Sequence, residues 1–143
     1  MLNFIEIITN ILDEQGKTPN DLFSAGVVSA NNFYKYKVRY PSLKTLLKIA
    51  NFLEVDLDYM FYISNENNFK RYSSVQSKFY DNLIGLIRLN NLSLRQFCRE
   101  LKFARANLTR WKSGTNPGIE TLFDIVRYFN CSFNDLLTRE NNW

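Results

Sequence analysis

Arg105, Asn107 and Arg110 stand within six residues of one another. Guanidinium and carboxamide groups can hydrogen-bond a planar partner at two points at once, and a purine edge is such a partner: arginine matches guanine and asparagine matches adenine. Phe103, Leu108 and Trp111 are interleaved with them at spacings of five and three. On a helix those three face a core, and Arg105, Ala106, Asn107 and Arg110 face outward. Arg95, Arg99, Lys102 and Lys112 surround the group and suit phosphate oxygens. From Arg88 to Lys112 there are seven basic residues and one acid, Glu100. An ordinary solvated face mixes both signs, so this bias favours a polyanionic partner.

A weaker version of the arrangement lies earlier in the chain. Val28, Phe33 and Tyr36 take the inward spacing, leaving Asn31, Asn32 and Lys35 outward with Lys37 and Arg39 close behind. The asparagines can read adenines, and Tyr34 can touch a phosphate or a thymine methyl. Tyr34, Tyr36 and Tyr40 equally form an aromatic patch suited to packing or to a protein partner. Residues 1–63 carry six basic and seven acidic side chains, whereas residues 74–143 carry ten and six. The second half is the stronger candidate for nucleic acid.

Composition narrows the alternatives. Hydrophobic residues make up 45% of the 143 and charged residues 22%, which is enough to bury a core. The chain has no histidine, so the commonest general base and metal ligand are missing. Cys98 and Cys131 form no paired motif and fall short of a four-ligand zinc site; small buried apolar residues are expected. No glycine-rich phosphate loop occurs, and the scattered carboxylates read as caps and surface charge. A non-enzymatic protein without metal or cofactor is expected. No basic stretch followed by a long apolar run opens the chain, so neither secretion nor a membrane span is expected, and the cytoplasm is the expected location.

The elements that would hold these residues occur twice. Residues 41–61 and 117–137 align without a gap, pairing Pro41 with Pro117, Thr45 with Thr121, Leu46 with Leu122 and Ile49 with Ile125. With Asn116 skipped, Thr18 falls on Ser93, Leu22 on Phe97, Phe33 on Leu108, Lys35 on Arg110, Tyr36 on Trp111 and Lys37 on Lys112. Each copy predicts five helices. The first carries Phe4, Ile7, Ile8, Ile11 and Leu12 and ends near Gly16. The second starts at Thr18-Pro19, or at the capping box Ser93-x-x-Gln96. A third starts near Ser29 or Ala104, a fourth follows Pro41 or Pro117, and a final turn begins at Asp56 or Ser132. The chain is therefore expected to be all-α, with a domain over 1–63, an Asn- and Ser-rich linker over 64–73 and a domain over 74–143.

The joint spacing resembles the Cro/repressor-type helix-turn-helix family, also called the xenobiotic-response-element type. In the second copy the resemblance is carried by Ser93, Phe97-Cys98, Phe103, Leu108, Trp111, Gly114, the run Pro117-Gly118-Ile119-Glu120-Thr121-Leu122, and Leu136-Leu137. In the first it is carried by Thr18, Leu22-Phe23, Val28-Ser29, Phe33, Tyr36, the Pro41–Leu46 run and Val55-Asp56-Leu57. Phe23 and Cys98 stand where the family has a small alanine, Lys37 and Lys112 where it has glutamate, and Val27 and Lys102 where it has the turn glycine.

The resemblance implies a lambda-repressor-like fold in two tandem five-helix domains and a sequence-specific regulator of bacterial or phage type. Recognition helices of about 29–38 and 104–113 would enter the major groove of double-stranded DNA. Arg105, Asn107, Arg110, Asn31, Asn32 and Lys35 would then read bases. Arg95, Arg99, Lys102, Lys112, Lys37 and Arg39 would hold phosphates. Units of this length would sit roughly 30 Å apart if side by side, close to one DNA turn of about 34 Å, so a single chain would span two grooves. The competing class is a helix-turn-helix fold reused as a protein-binding module or inhibitor, with one or both units contacting a protein partner, the Tyr-rich first unit being the candidate surface, or with the chain pairing as a homodimer.

Overall fold

The computed structural model describes residues 3–76 and 78–138. Regular structure among them is helical, with no β-strand. The chain divides into two compact units, Met1–Ser74 and Val75–Trp143.

Unit 1 contains α1 (Phe4–Glu14), α2 (Pro19–Ser24), α3 (Ala30–Tyr34) running into a 3-10 turn (Lys35–Lys37), α4 (Leu43–Leu53) and α5 (Leu57–Met60). Local chemistry sets these boundaries. Asn3 and Glu6 exchange backbone-to-side-chain hydrogen bonds of 2.9 and 3.2 Å, which satisfies two amides at the start of α1. The side chains of Ser29 and Ser42 accept from Asn32 and Thr45 and so open α3 and α4. Phe4, Ile8, Leu12, Leu22, Phe33, Leu46 and Ile49 close the core beneath them.

The segment 29–38, which the sequence predicts as one recognition helix, is instead broken in two. It is α-helical for five residues and then tightens into the 3-10 turn. The chain must reach Pro41 from Tyr36 in one residue fewer than unit 2 takes from Trp111 to Pro117. Unit 1 also lacks a glycine at this point, whereas Gly114 of unit 2 takes φ +108° just after its helix. A tighter helix with a larger rise per residue makes up the difference.

Residues 64–73, read from the sequence as a linker, pack against unit 1. Asn67 accepts from the Asp56 amide (2.9 Å) and donates to the Glu54 carbonyl (3.0 Å), bridging the end of α4 and the start of α5. Tyr72 is 0% exposed, and its hydroxyl accepts from the Leu57 amide at 2.9 Å.

Unit 2 contains α6 (Phe79–Leu89), α7 (Leu94–Leu101), α8 (Arg105–Lys112), α9 (Ile119–Phe129) and a closing 3-10 turn (Phe133–Asp135). Phe79, Leu83, Ile87, Phe97, Leu122, Ile125, Phe133 and Leu136 form its core. The ring of Trp111 meets Phe79 and Phe103 edge-on, at 5.6 and 5.8 Å, and so anchors α8. Gln76 joins the two ends of the unit by accepting from the Thr138 amide (2.7 Å) and donating to the Thr138 carbonyl (3.1 Å).

Candidate nucleic-acid interface

In unit 2, α7 and α8 are joined by a two-residue elbow, Phe103-Ala104 following the cap Lys102. Ser93 and Gln96 start α7 with reciprocal hydrogen bonds of 3.0 and 3.1 Å. Lys102 ends the helix with φ +59°, the left-handed position usually given to glycine. The Phe103 amide then donates to the Cys98 carbonyl at 2.9 Å, and the chain turns into α8. Ala104, at the N-cap of α8, supplies no side-chain acceptor, and the Asn107 amide donates instead to the Ala104 carbonyl at 3.0 Å.

This elbow distributes the side chains by chemistry. Phe97, Cys98, Leu108 and Trp111 are buried; Arg95, Arg99, Lys102, Arg105, Arg110 and Lys112 are exposed. Asn107 is half-buried, and its Oδ1 accepts a hydrogen bond from Nη2 of Arg110 one turn later. Glu100, the acid in the run, accepts from the Tyr128 hydroxyl of α9, a contact that pushes the tyrosine pKa upward. The negative charge is thereby engaged by α9. Burial raises the Cys98 thiol pKa against a smaller opposing pull from the Arg105 guanidinium, so the thiol is protonated at neutral pH.

Arg88 was counted in the basic run but given no role from sequence. It joins Tyr80, Asp81, Leu94 and Lys112 around an open recess of about 470 Å³ between α6, the start of α7 and the end of α8. Arg88 falls outside the α7–α8 pair, and only the fold brings it beside Lys112.

In unit 1, Asn31, Asn32, Lys35, Lys37 and Arg39 are all exposed, but on the five-residue α3 and the segment that follows it. Asn32 and Arg39 share a second recess, of about 340 Å³, with Tyr36, Ser42 and Thr45 at the start of α4. Burial raises the Tyr36 pKa, and the Arg39 charge works against it. Phe23 wedges between α2 and α3, meeting Phe33 edge-on at 5.5 Å and Tyr34 at 6.4 Å. Tyr34 (57% exposed) and Val38 (88% exposed) give this face an apolar character that α8 lacks.

No helix among the described residues is long and apolar enough to cross a membrane. No curated protein and no solved structure matches the chain. One family model, that of the Cro/C1-type HTH DNA-binding domain, does match over residues 82–142, a stretch that holds α7, the elbow and α8.

Proposed function

We propose that the chain is a sequence-specific regulator of transcription that binds double-stranded DNA, with α8 of unit 2 in the major groove. The supporting observation is the exposed cationic set Arg95, Arg99, Lys102, Arg105, Arg110 and Lys112 on the α7–α8 pair of a Cro/C1-type domain. Arg105, Asn107 and Arg110 address base edges. Arg95, Arg99, Lys102 and Lys112, joined by Arg88, hold phosphates. Unit 1 repeats the helix order of unit 2, and we read it as a second, tandem domain of the same kind. Its Asn31, Asn32 and Lys35 are directed at bases, and its Lys37 and Arg39 at phosphates.

A second reading applies to unit 1 alone. Its short α3 and exposed Tyr34 and Val38 suit a protein surface, whether that of a partner or of a second copy of the chain. Selection of the full chain against a random duplex pool at two salt concentrations separates the two. Two half-sites about ten base pairs apart occupied by one chain support two reading units, and one half-site per chain supports a protein-binding unit 1. No enriched motif, with only weak salt-sensitive binding, would overturn sequence-specific recognition altogether.

A further inference from the structure

Asn107 and Arg110 are joined, and the joint changes what they can recognise. An asparagine reads adenine by accepting from N6–H with Oδ1 while donating to N7 with Nδ2. In unit 2 the Asn107 Oδ1 already accepts from Arg110 Nη2. Arg110 is exposed at that point, so its positive charge sits beside the same carbonyl oxygen an adenine amino group would have to approach. One lone pair of Oδ1 is thereby used and the other lies beside the guanidinium charge, so what the pair presents is dominated by donors: the Asn107 Nδ2 hydrogens and the remaining guanidinium N–H groups. The main chain helps fix this arrangement, because the Ser113 hydroxyl donates to the Arg110 carbonyl at 2.7 Å and secures the last turn of α8.

The geometry points to a specificity element in which Asn107 and Arg110 act together on one guanine, in place of an adenine read by Asn107 and a guanine read separately by Arg110. Guanine presents two acceptors, O6 and N7, in the major groove, whereas adenine offers one acceptor and one donor. A donor-rich, positively charged pair therefore favours guanine, whereas adenine would bring its N6–H₂ towards the guanidinium charge. This inference rests on the DNA-reading role of α8 proposed above.

The test is selection from a random duplex pool with the full-length wild type, Asn107→Ala and Arg110→Met. The methionine keeps the aliphatic stem and removes the donors. Arg110 is exposed and Asn107 half-buried on α8, and equal melting curves would verify that the fold is intact. The wild type should enrich guanine at the pair's position, with a preference over adenine of roughly tenfold or more in competition. Both variants should lose that preference at the same base pair, and Arg110→Met, which frees Oδ1, should turn it towards adenine. An adenine at that position in the wild-type motif, or two variants that relax two different base pairs, would overturn the coupled reading while leaving α8 as a DNA reader. A wild type that enriches no motif would overturn the DNA reading itself, and this inference with it.

Discussion

The carboxamide of Asn51 holds the main chain of Tyr72 at two points, its Oδ1 accepting from the amide at 2.8 Å and its Nδ2 donating to the carbonyl at 3.0 Å. A side chain in the last turn of α4 thus does for a passing segment what a neighbouring strand would do in a sheet. With the Tyr72 ring fully buried and its hydroxyl on the Leu57 amide, the 64–73 segment becomes part of the fold of unit 1. Removing a large buried aromatic costs about 3–5 kcal/mol, and leaving part-buried main-chain groups unpaired costs about 1–3 kcal/mol. Tyr72→Ala and Asn51→Ala should therefore lower stability by amounts of that order, read as a shift of the urea midpoint. Hydrogen exchange should localise the loss to α4 and α5. An unchanged midpoint in both variants would show that the segment rests on unit 1 without supporting it.

The sequence hid this segment for a physical reason. Helix boundaries are encoded locally, so the starts at Thr18, Ser29 and Ser93 and the stop at Gly16 were legible from residue types and spacing. Tyr72 carries no periodicity, and its Asn- and Ser-rich surroundings look like any solvated connection. Its partner Asn51 lies 21 residues earlier, and only the tertiary fold brings them together. The same limit applies at the interface. The outward placement of Arg105 and Arg110 followed from helical spacing, but the neighbourhood of Arg88 and Lys112 required α6 to be placed. The shortening of α3 arose from a one-residue difference in the approach to Pro41, which an alignment allows as a gap without stating its geometric consequence.

Under the proposed DNA reading, two groups of cations should respond differently. Arg95 and Arg99 lie on α7 and carry no base-reading geometry, so Arg95→Ala and Arg99→Ala should weaken all duplexes alike. Each should also reduce the slope of log affinity against log salt by about one. Arg88→Ala should behave the same way, since Arg88 shares its recess with Lys112. Arg105→Ala, at the first turn of α8, should instead relax preference at one base pair, at a cost of about 1–3 kcal/mol for the preferred sequence. Filter binding or fluorescence anisotropy at several salt concentrations distinguishes the classes. Equal behaviour of all four variants would contradict the assignment of α8 to base edges.

Cys98 and Cys131 should differ in reactivity. Cys98 is buried on α7, its thiol pKa raised by burial, whereas Cys131 is half-exposed. The thiolate is the reactive form, so iodoacetamide at neutral pH should modify Cys131 first and reach Cys98 only on unfolding. The linkage has a definite sign. A thiol whose pKa is raised in the folded state contributes stability that is fully present below the unfolded pKa and is lost as pH rises through the folded value. Unit 2 should consequently lose stability at alkaline pH, and Cys98→Ala should reduce that pH dependence. Peptide mapping of the labelled protein checks the order of modification, and faster labelling of Cys98 would contradict its burial.

Lys102 separates stability from binding. At φ +59° and ψ +36° it holds a left-handed backbone that a side chain with a β-carbon adopts at a cost of about 1–2 kcal/mol, and that glycine adopts without it. Its side chain is exposed, so little packing is lost on truncation. Glycine also gives up more freedom on folding, which offsets part of the gain. Lys102→Gly should therefore raise the unfolding free energy of unit 2 by up to about 1 kcal/mol. Because the lysine flanks α8 as one of the proposed phosphate contacts, the same substitution should lower DNA affinity without altering the selected motif, and should reduce the salt slope by about one. Thermal unfolding and anisotropy on one preparation read both effects. A variant that became less stable would show that the left-handed turn costs little here. A variant of unchanged affinity would remove Lys102 from the phosphate set, leaving Arg88, Arg95, Arg99 and Lys112 to position α8.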